Sequence, residues 1–95
     1  MENQLSLDAN IALAGGFRLQ WEKSQACYVL LYPEGMVTLN TSAAEILKLC
    51  DGGRSISAII AVLQSKYTQG AIIDLTEDTY HFLTEALQKG WLAVV

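Results

Sequence analysis

Few side chains in this sequence are able to do chemistry, and they are scattered. Glu77 and Asp78 are adjacent, and His81, the single histidine, follows on the same stretch. Carboxylates beside a histidine are the raw material of general acid–base catalysis. Both acids, however, fall in the first turn of a helical pattern, where negative charge complements the helix dipole. His81 projects to the polar side of that helix, with no nucleophile or second histidine near it in the pattern. The cysteines, Cys27 and Cys50, belong to no CxxC pair, so with one histidine they make up no four-ligand zinc site. They read as two buried, reduced thiols acting as small hydrophobes. The doublets Gly15-Gly16 and Gly52-Gly53 lack phosphate-binding spacing and a strand-to-helix context, and read as a hinge and a helix stop. The sequence therefore predicts no catalytic residue, no metal and no cofactor.

Composition points toward binding instead. Ninety-five residues make one domain. Hydrophobic residues are 52% of the chain and charged residues 17%, an apolar balance for so small a domain, which leaves apolar surface for a partner. The net charge of −4 opposes binding to a phosphate backbone, so nucleic acid is excluded as a default partner. Residues 1–16 lack the basic and apolar regions of a signal peptide, and no apolar run approaches the roughly 20 residues that cross a bilayer. The expectation is a cytoplasmic protein with no membrane association.

The elements that would position a binding site follow from periodicity. Residues 1–16 read as an N-terminal arm with weak structure of its own, packing by Leu5, Leu7, Ile11 and Leu13, ahead of a domain over 17–95. Phe17 to Glu22 alternates apolar and polar without a break, which predicts a half-buried strand. Ala26 to Tyr32 is a second strand, rich in β-formers and apolar on both faces. Pro33 presets a tight turn, and Met36 to Leu39 is a short third strand closing an antiparallel meander. The period then becomes helical. Ser42 and Glu45 fit a capping box, with Asn40 or Thr41 as alternative caps, for a helix ending near Cys50 before Asp51-Gly52-Gly53. Ser55 caps a second helix carrying Ile56, Ile59, Ile60, Leu63 and Tyr67, broken by Thr68-Gln69-Gly70. A third, capped by Asp74 or Thr76, runs to about Lys89, and Trp91 to Val95 returns as an apolar tail.

The third helix carries too wide an apolar stripe for one packing face. Phe82, Leu75, Ala86, Thr79, Leu83, Thr76, Leu87 and Tyr80 cover roughly 160° of it, where about 100° suffices to face a core. Either one flank lines a groove, or the whole stripe is core, with Trp91 and the N-terminal arm covering the remainder. In a three-stranded meander the third strand is an edge, whose free N–H and C=O groups accept an extended peptide as a further strand. The candidate peptide-binding residues are Met36, Val37, Thr38 and Leu39 on that strand, with Tyr80, Leu83 and Leu87 on the third helix.

Read together, Phe17-Arg18-Leu19-Gln20-Trp21-Glu22, Tyr28-Val29-Leu30-Leu31-Tyr32-Pro33-Glu34-Gly35-Met36-Val37, Leu39-Asn40, Ser42-Ala43-Ala44-Glu45-Ile46-Leu47, Leu49-Cys50-Asp51-Gly52, Phe82-Leu83 and Gly90-Trp91-Leu92 closely resemble the PqqD family, the peptide chaperones of pyrroloquinoline quinone (PQQ) biosynthesis. The resemblance runs from about Phe17 to Leu92. It implies a stand-alone RiPP recognition element, the domain that recognises ribosomally made, post-translationally modified peptides. It implies an α+β fold of three antiparallel strands followed by three helices, akin to a winged helix, and no catalytic residue. It also implies a precursor peptide, PqqA, and a radical S-adenosylmethionine (SAM) enzyme, PqqE, as partners. The arm departs from the family pattern at Asn10, where a proline is expected, and at Gly15, where a basic or proline residue is common.

Two other readings fit parts of the pattern. A winged-helix DNA-binding protein would share the element types, but its third helix would present a basic face, and here Asp74, Glu77, Asp78 and Glu85 stand against Lys89 alone. A self-associating module would use the two-faced central strand, and either a monomer or a homodimer is compatible with peptide binding.

Overall fold

Alternation produces the meander. In the computed structural model, which describes residues 6–66 and 75–95, Arg18–Glu22 (β2), Cys27–Tyr32 (β3) and Gly35–Thr38 (β4) form an antiparallel sheet of order β2-β3-β4. The registers Leu19↔Leu30 and Leu30↔Val37 put these three side chains on one face, and that face meets the core, where Leu30 is fully buried. On the opposite face Val29 is also fully buried, flanked in register by Gln20 and Thr38.

The helices Thr41–Lys48 (α1), Ile56–Lys66 (α2) and Leu75–Gln88 (α3) each turn an apolar stripe inward. Leu47, Ile56, Ile59, Ile60, Leu63 and Leu83 join Leu30 and Leu39 in one buried cluster. Asn40 caps α1, its side-chain carbonyl accepting from the Ala43 N–H at 2.8 Å. The Ser42 and Glu45 capping box is not the cap used; Glu45 instead meets Lys66 of α2 at 3.2 Å. The Ser55 hydroxyl caps α2 by accepting from the Ala58 N–H at 3.1 Å. The break at Thr68-Gln69-Gly70 and the Asp74 cap lie outside the described residues.

Three strands followed by three helices is only part of the fold. Asn10–Leu13 (β1), Asp51–Ser55 (β5) and Leu92–Val94 (β6) form a second antiparallel sheet of order β5-β1-β6. Thus one strand precedes the meander, one lies between the first two helices, and one follows α3. These strands are short, and β5 contains no strong β-former, so pairing rather than propensity makes them. The expected helix stop at Asp51-Gly52-Gly53 is itself part of β5. There Gly52 takes φ +87, and an added Cβ would lie 3.6 Å from the Ala12 Cβ. The register shifts between Asn10↔Ser55 and Ala12↔Asp51, and the Asn10 amide spans the irregularity by donating to the Gly52 carbonyl at 3.1 Å. Asn10 thereby makes a side-chain bond that proline lacks.

Ile11, on the middle strand of this sheet, is fully buried. Ile11→Ala is expected to lower the unfolding free energy by about 2–4 kcal/mol, by lost burial and the cavity left behind. Urea denaturation measures it, and an unchanged midpoint would mean that β1 adds nothing to the fold.

Candidate functional site

Among the described residues, Asp78, His81 and Glu85 line one open depression on α3, together with Phe82, Thr84 and Gln88. Glu77, Asp78 and His81 are all exposed on α3. Cys27 is half-buried at the start of β3, whereas Cys50 is buried, its thiol donating to the Ile46 carbonyl at 3.4 Å. Burial, with Asp51 beside it, pushes the Cys50 pKa up to about 12, so it is a neutral thiol at physiological pH. Among the described residues no three histidine, cysteine or carboxylate side chains come together as a metal site.

What the fold does offer is backbone. The Leu39 N–H donates to the Tyr28 carbonyl at 3.0 Å, which makes Tyr28 and Leu39 a hydrogen-bonded pair of the antiparallel ladder. Such pairs alternate with non-bonded ones. Along the register of β3 and β4, Leu30–Val37 and Tyr32–Gly35 are then bonded pairs, and Val29–Thr38 and Leu31–Met36 are not. The N–H and C=O of Val37 therefore turn toward β3, while those of Met36 and Thr38 turn away. Among the described residues no strand pairs with that outer side of β4. The result is a row of outward donors and acceptors at Met36 and Thr38, able to take an extended chain by main-chain bonds.

The candidate side chains divide by depth. Met36, 49% exposed, and Thr38 stand at the surface, while Val37 points inward beside Leu30 and is partly covered. Leu39 is in the core. On α3, Thr79, Leu83 and Ala86 form the buried strip, and Leu83 has no exposed surface. Tyr80 and Leu87 are half-buried on one flank of that strip and Phe82 on the other, all bordering the same cluster. The main neighbours of α3 are α2 and β6. Val37, Tyr80 and Leu87 each pack against the one core cluster, and Leu83 lies within it. Of the Leu75 and Thr76 side chains nothing is described.

Sequence reasoning missed a groove of about 280 Å³ between α1 and the hairpin joining β2 to β3, lined by Trp21, Tyr28, Asn40, Thr41, Glu45 and Lys48 among others. Trp21 is 51% exposed there, and an exposed tryptophan on an alternating strand was the available sign.

Comparison with known proteins places the chain. The family model for coenzyme PQQ synthesis protein D (PqqD) matches residues 27–92. A PqqA binding protein of Pseudomonas paraeruginosa is 51% identical over 87 residues, covering 92% of each chain. One from Methylococcus capsulatus is 42% identical over 88 residues, covering 93% of this chain and 91% of its own. The solution NMR structure of the PqqD truncation of Methylobacterium extorquens PqqCD is described as a functional, stand-alone RiPP recognition element. It superposes with a TM-score of 0.73 at 30% identity, covering 95% of each chain.

Thiol chemistry checks the inert reading of Cys50. At pH 8 the native protein is expected to take up a thiol reagent at Cys27 and not at Cys50, and both sites on denaturation. The folded pKa is raised, so the contribution of the Cys50 thiol to stability is whole below pH 9.0 and is lost as pH rises toward about 12. Labelling of native Cys50 as fast as of unfolded chain would contradict this.

Proposed function

The chain belongs to the PqqD family, and we propose that it binds a PqqA-type precursor peptide as an added strand on β4 and holds it for the radical SAM enzyme PqqE. The open edge at Met36 and Thr38 carries this reading, since its outward N–H and C=O groups are a ready acceptor for a strand. The relatives named for PqqA binding support the choice of peptide. In this scheme the four outward main-chain groups of Met36 and Thr38 give affinity that tolerates sequence. Selectivity comes from apolar peptide side chains laid against Val37 and the Tyr80 and Leu87 flank of α3, with Leu83 backing them from the core. The protein itself turns nothing over, works in the cytoplasm, and uses the winged-helix-like arrangement of meander and α3 as a cradle for the peptide.

The geometry gives a test that separates binding from folding. The Thr38 N–H faces outward, so Thr38→Pro removes a donor from the edge and none from the β3–β4 ladder. Loss of that bond, with the ring now on the edge, is expected to weaken peptide binding by about tenfold, with the urea midpoint nearly unchanged. Val37→Pro breaks an internal bond and is expected to unfold the meander, and Leu83→Asp to unfold the core. Amide NMR titration with the precursor peptide locates the site. Shifts confined to β2 and α2, with β4 and α3 unmoved, would overturn the assignment.

A further inference from the structure

The chain that forms the β4 edge does not end at Thr38. Leu39 is still bonded to β3, and Asn40 then caps α1, which begins at Thr41. Leu39, Asn40 and Thr41 all line the groove of about 280 Å³ between α1 and the β2–β3 hairpin. The groove is therefore continuous with the edge. It also lies on a particular side of the sheet. Trp21 and Tyr28 are a register pair, and alternation puts them on the face that carries Leu19, Leu30 and Val37. A peptide strand on β4 that turns its apolar side chains toward Val37 has them on the groove's side of the sheet. Two strand spacings, about 10 Å, separate β4 from β2, so about three extended residues beyond Thr38 reach the Trp21 wall.

The edge and the groove differ in chemistry. From Gly35 to Thr38 the edge has no ionisable side chain. In the groove Tyr28 meets the exposed Trp21 edge-on, with ring centroids 5.1 Å apart and planes at 68°. The Lys48 ammonium sits 4.8 Å from the Tyr28 ring centroid. Among the described residues no carboxylate pairs with Lys48, whereas Glu45, the acid lining the groove, is held by Lys66 at 3.2 Å. The groove thus pairs an aromatic wall with a cation that no described carboxylate neutralises.

We propose that the groove is the far end of the peptide track and sets the register of the bound peptide. The peptide runs on past Thr38, places the carboxylate of one acidic residue on Lys48, and lays a neighbouring apolar side chain against Trp21 and Tyr28. The inference rests on the reading of β4 as the peptide edge. Main-chain bonds at Met36 and Thr38 recur every two residues, so a peptide slipped by two positions makes the same bonds. A single cation beside an aromatic wall removes that degeneracy, because only one register brings the acidic residue to Lys48. The precursor is thereby selected for an acidic residue next to an apolar one at a fixed distance from its β4-bound segment.

The test uses the full chain and the precursor peptide of the same organism, with affinities from calorimetry and contacts from NMR of the labelled protein. Lys48→Glu is expected to weaken peptide binding by about fivefold or more, with the urea midpoint nearly unchanged. Changing the acidic residues of the peptide to lysine one at a time is expected to weaken binding to the native protein at one position. That same peptide is expected to recover affinity for Lys48→Glu, which a merely structural role for Lys48 does not produce. Trp21→Ala is expected to weaken binding as well, with circular dichroism confirming the fold, and the Trp21 indole N–H signal to shift when peptide is added to the native protein. Native-like peptide affinity in both Lys48→Glu and Trp21→Ala overturns the proposal. So does a loss in Lys48→Glu that no charge-reversed peptide recovers, or an indole signal that stays in place. In each of these cases Thr38→Pro still weakens binding if β4 is the edge. Failure of the β4 reading is distinct and removes the proposal with it: it shows as a native protein that binds no peptide, or as Thr38→Pro binding like the native chain.

Discussion

Strand β1 is bonded on both sides, and the rest of the structure depends on that. Its register with β6 sets Ile11 opposite Val94 and Leu13 opposite Leu92, while Asn10 and Ala12 face β5. The flanking backbone extends the hold. The Ala9 carbonyl accepts from the first N–H of α2, the Ala14 N–H donates to the Trp91 carbonyl, and the Val95 N–H donates to Asn10. One short segment therefore fixes the start of α2, the exit of α3 and the C-terminal residues, and sends Ile11 into the cluster that also holds Leu30 and Leu83. With the chain closed by this sheet, the meander is left to serve another purpose.

An unpaired edge is a hazard as well as a site, because it templates pairing with any extended chain. Here its length restrains it. β4 has four residues, Pro33 precedes it in the turn, and Asn40 ends it by capping α1. Only Met36 and Thr38 face outward with both backbone groups. Two residues give few bonds, each worth about 1 kcal/mol net, so the edge alone holds a peptide weakly and without regard to sequence. On the proposed reading, tight or selective binding would have to come from side chains, for which Val37, Tyr80 and Leu87, partly covered against the core, are the candidates.

Period two made the meander legible, and the Tyr32-Pro33 turn placed its third strand within a residue. The stripes of Ile56, Ile59, Ile60 and Leu63 and of Thr79, Leu83 and Ala86 made α2 and α3 legible for the same reason, a periodicity that packing then uses. The cap of α1 was ambiguous because Asn40, Thr41 and Ser42 all lie at workable spacing. The second sheet was not legible, since Asp51–Ser55 reads as a turn until Asn10–Leu13 is beside it. At the candidate site, the edge could be foreseen but not its phase. Whether Thr38 or Val37 points outward depends on the single Leu39-to-Tyr28 bond. The excess width of the α3 stripe was informative, but periodicity does not say which part of it is core, and the structure puts Leu83 there. The Trp21 groove gathers residues from three separated segments, and no local pattern records that.

Charge is unevenly placed over the surface. Arg54 is held by Asp51 at 2.9 Å and Lys66 by Glu45, and Lys89 lies over Trp91 as Lys48 does over Tyr28. Exposed pairs of this kind add little stability, so their consequence is mainly where they leave net charge. The outer face of α3 keeps Glu77, Asp78 and Glu85, which repels a phosphate backbone from the helix that a winged-helix protein would offer to DNA. The β4 edge carries no ionisable side chain from Gly35 to Thr38, and a strand added there is held by dipoles that salt screens weakly.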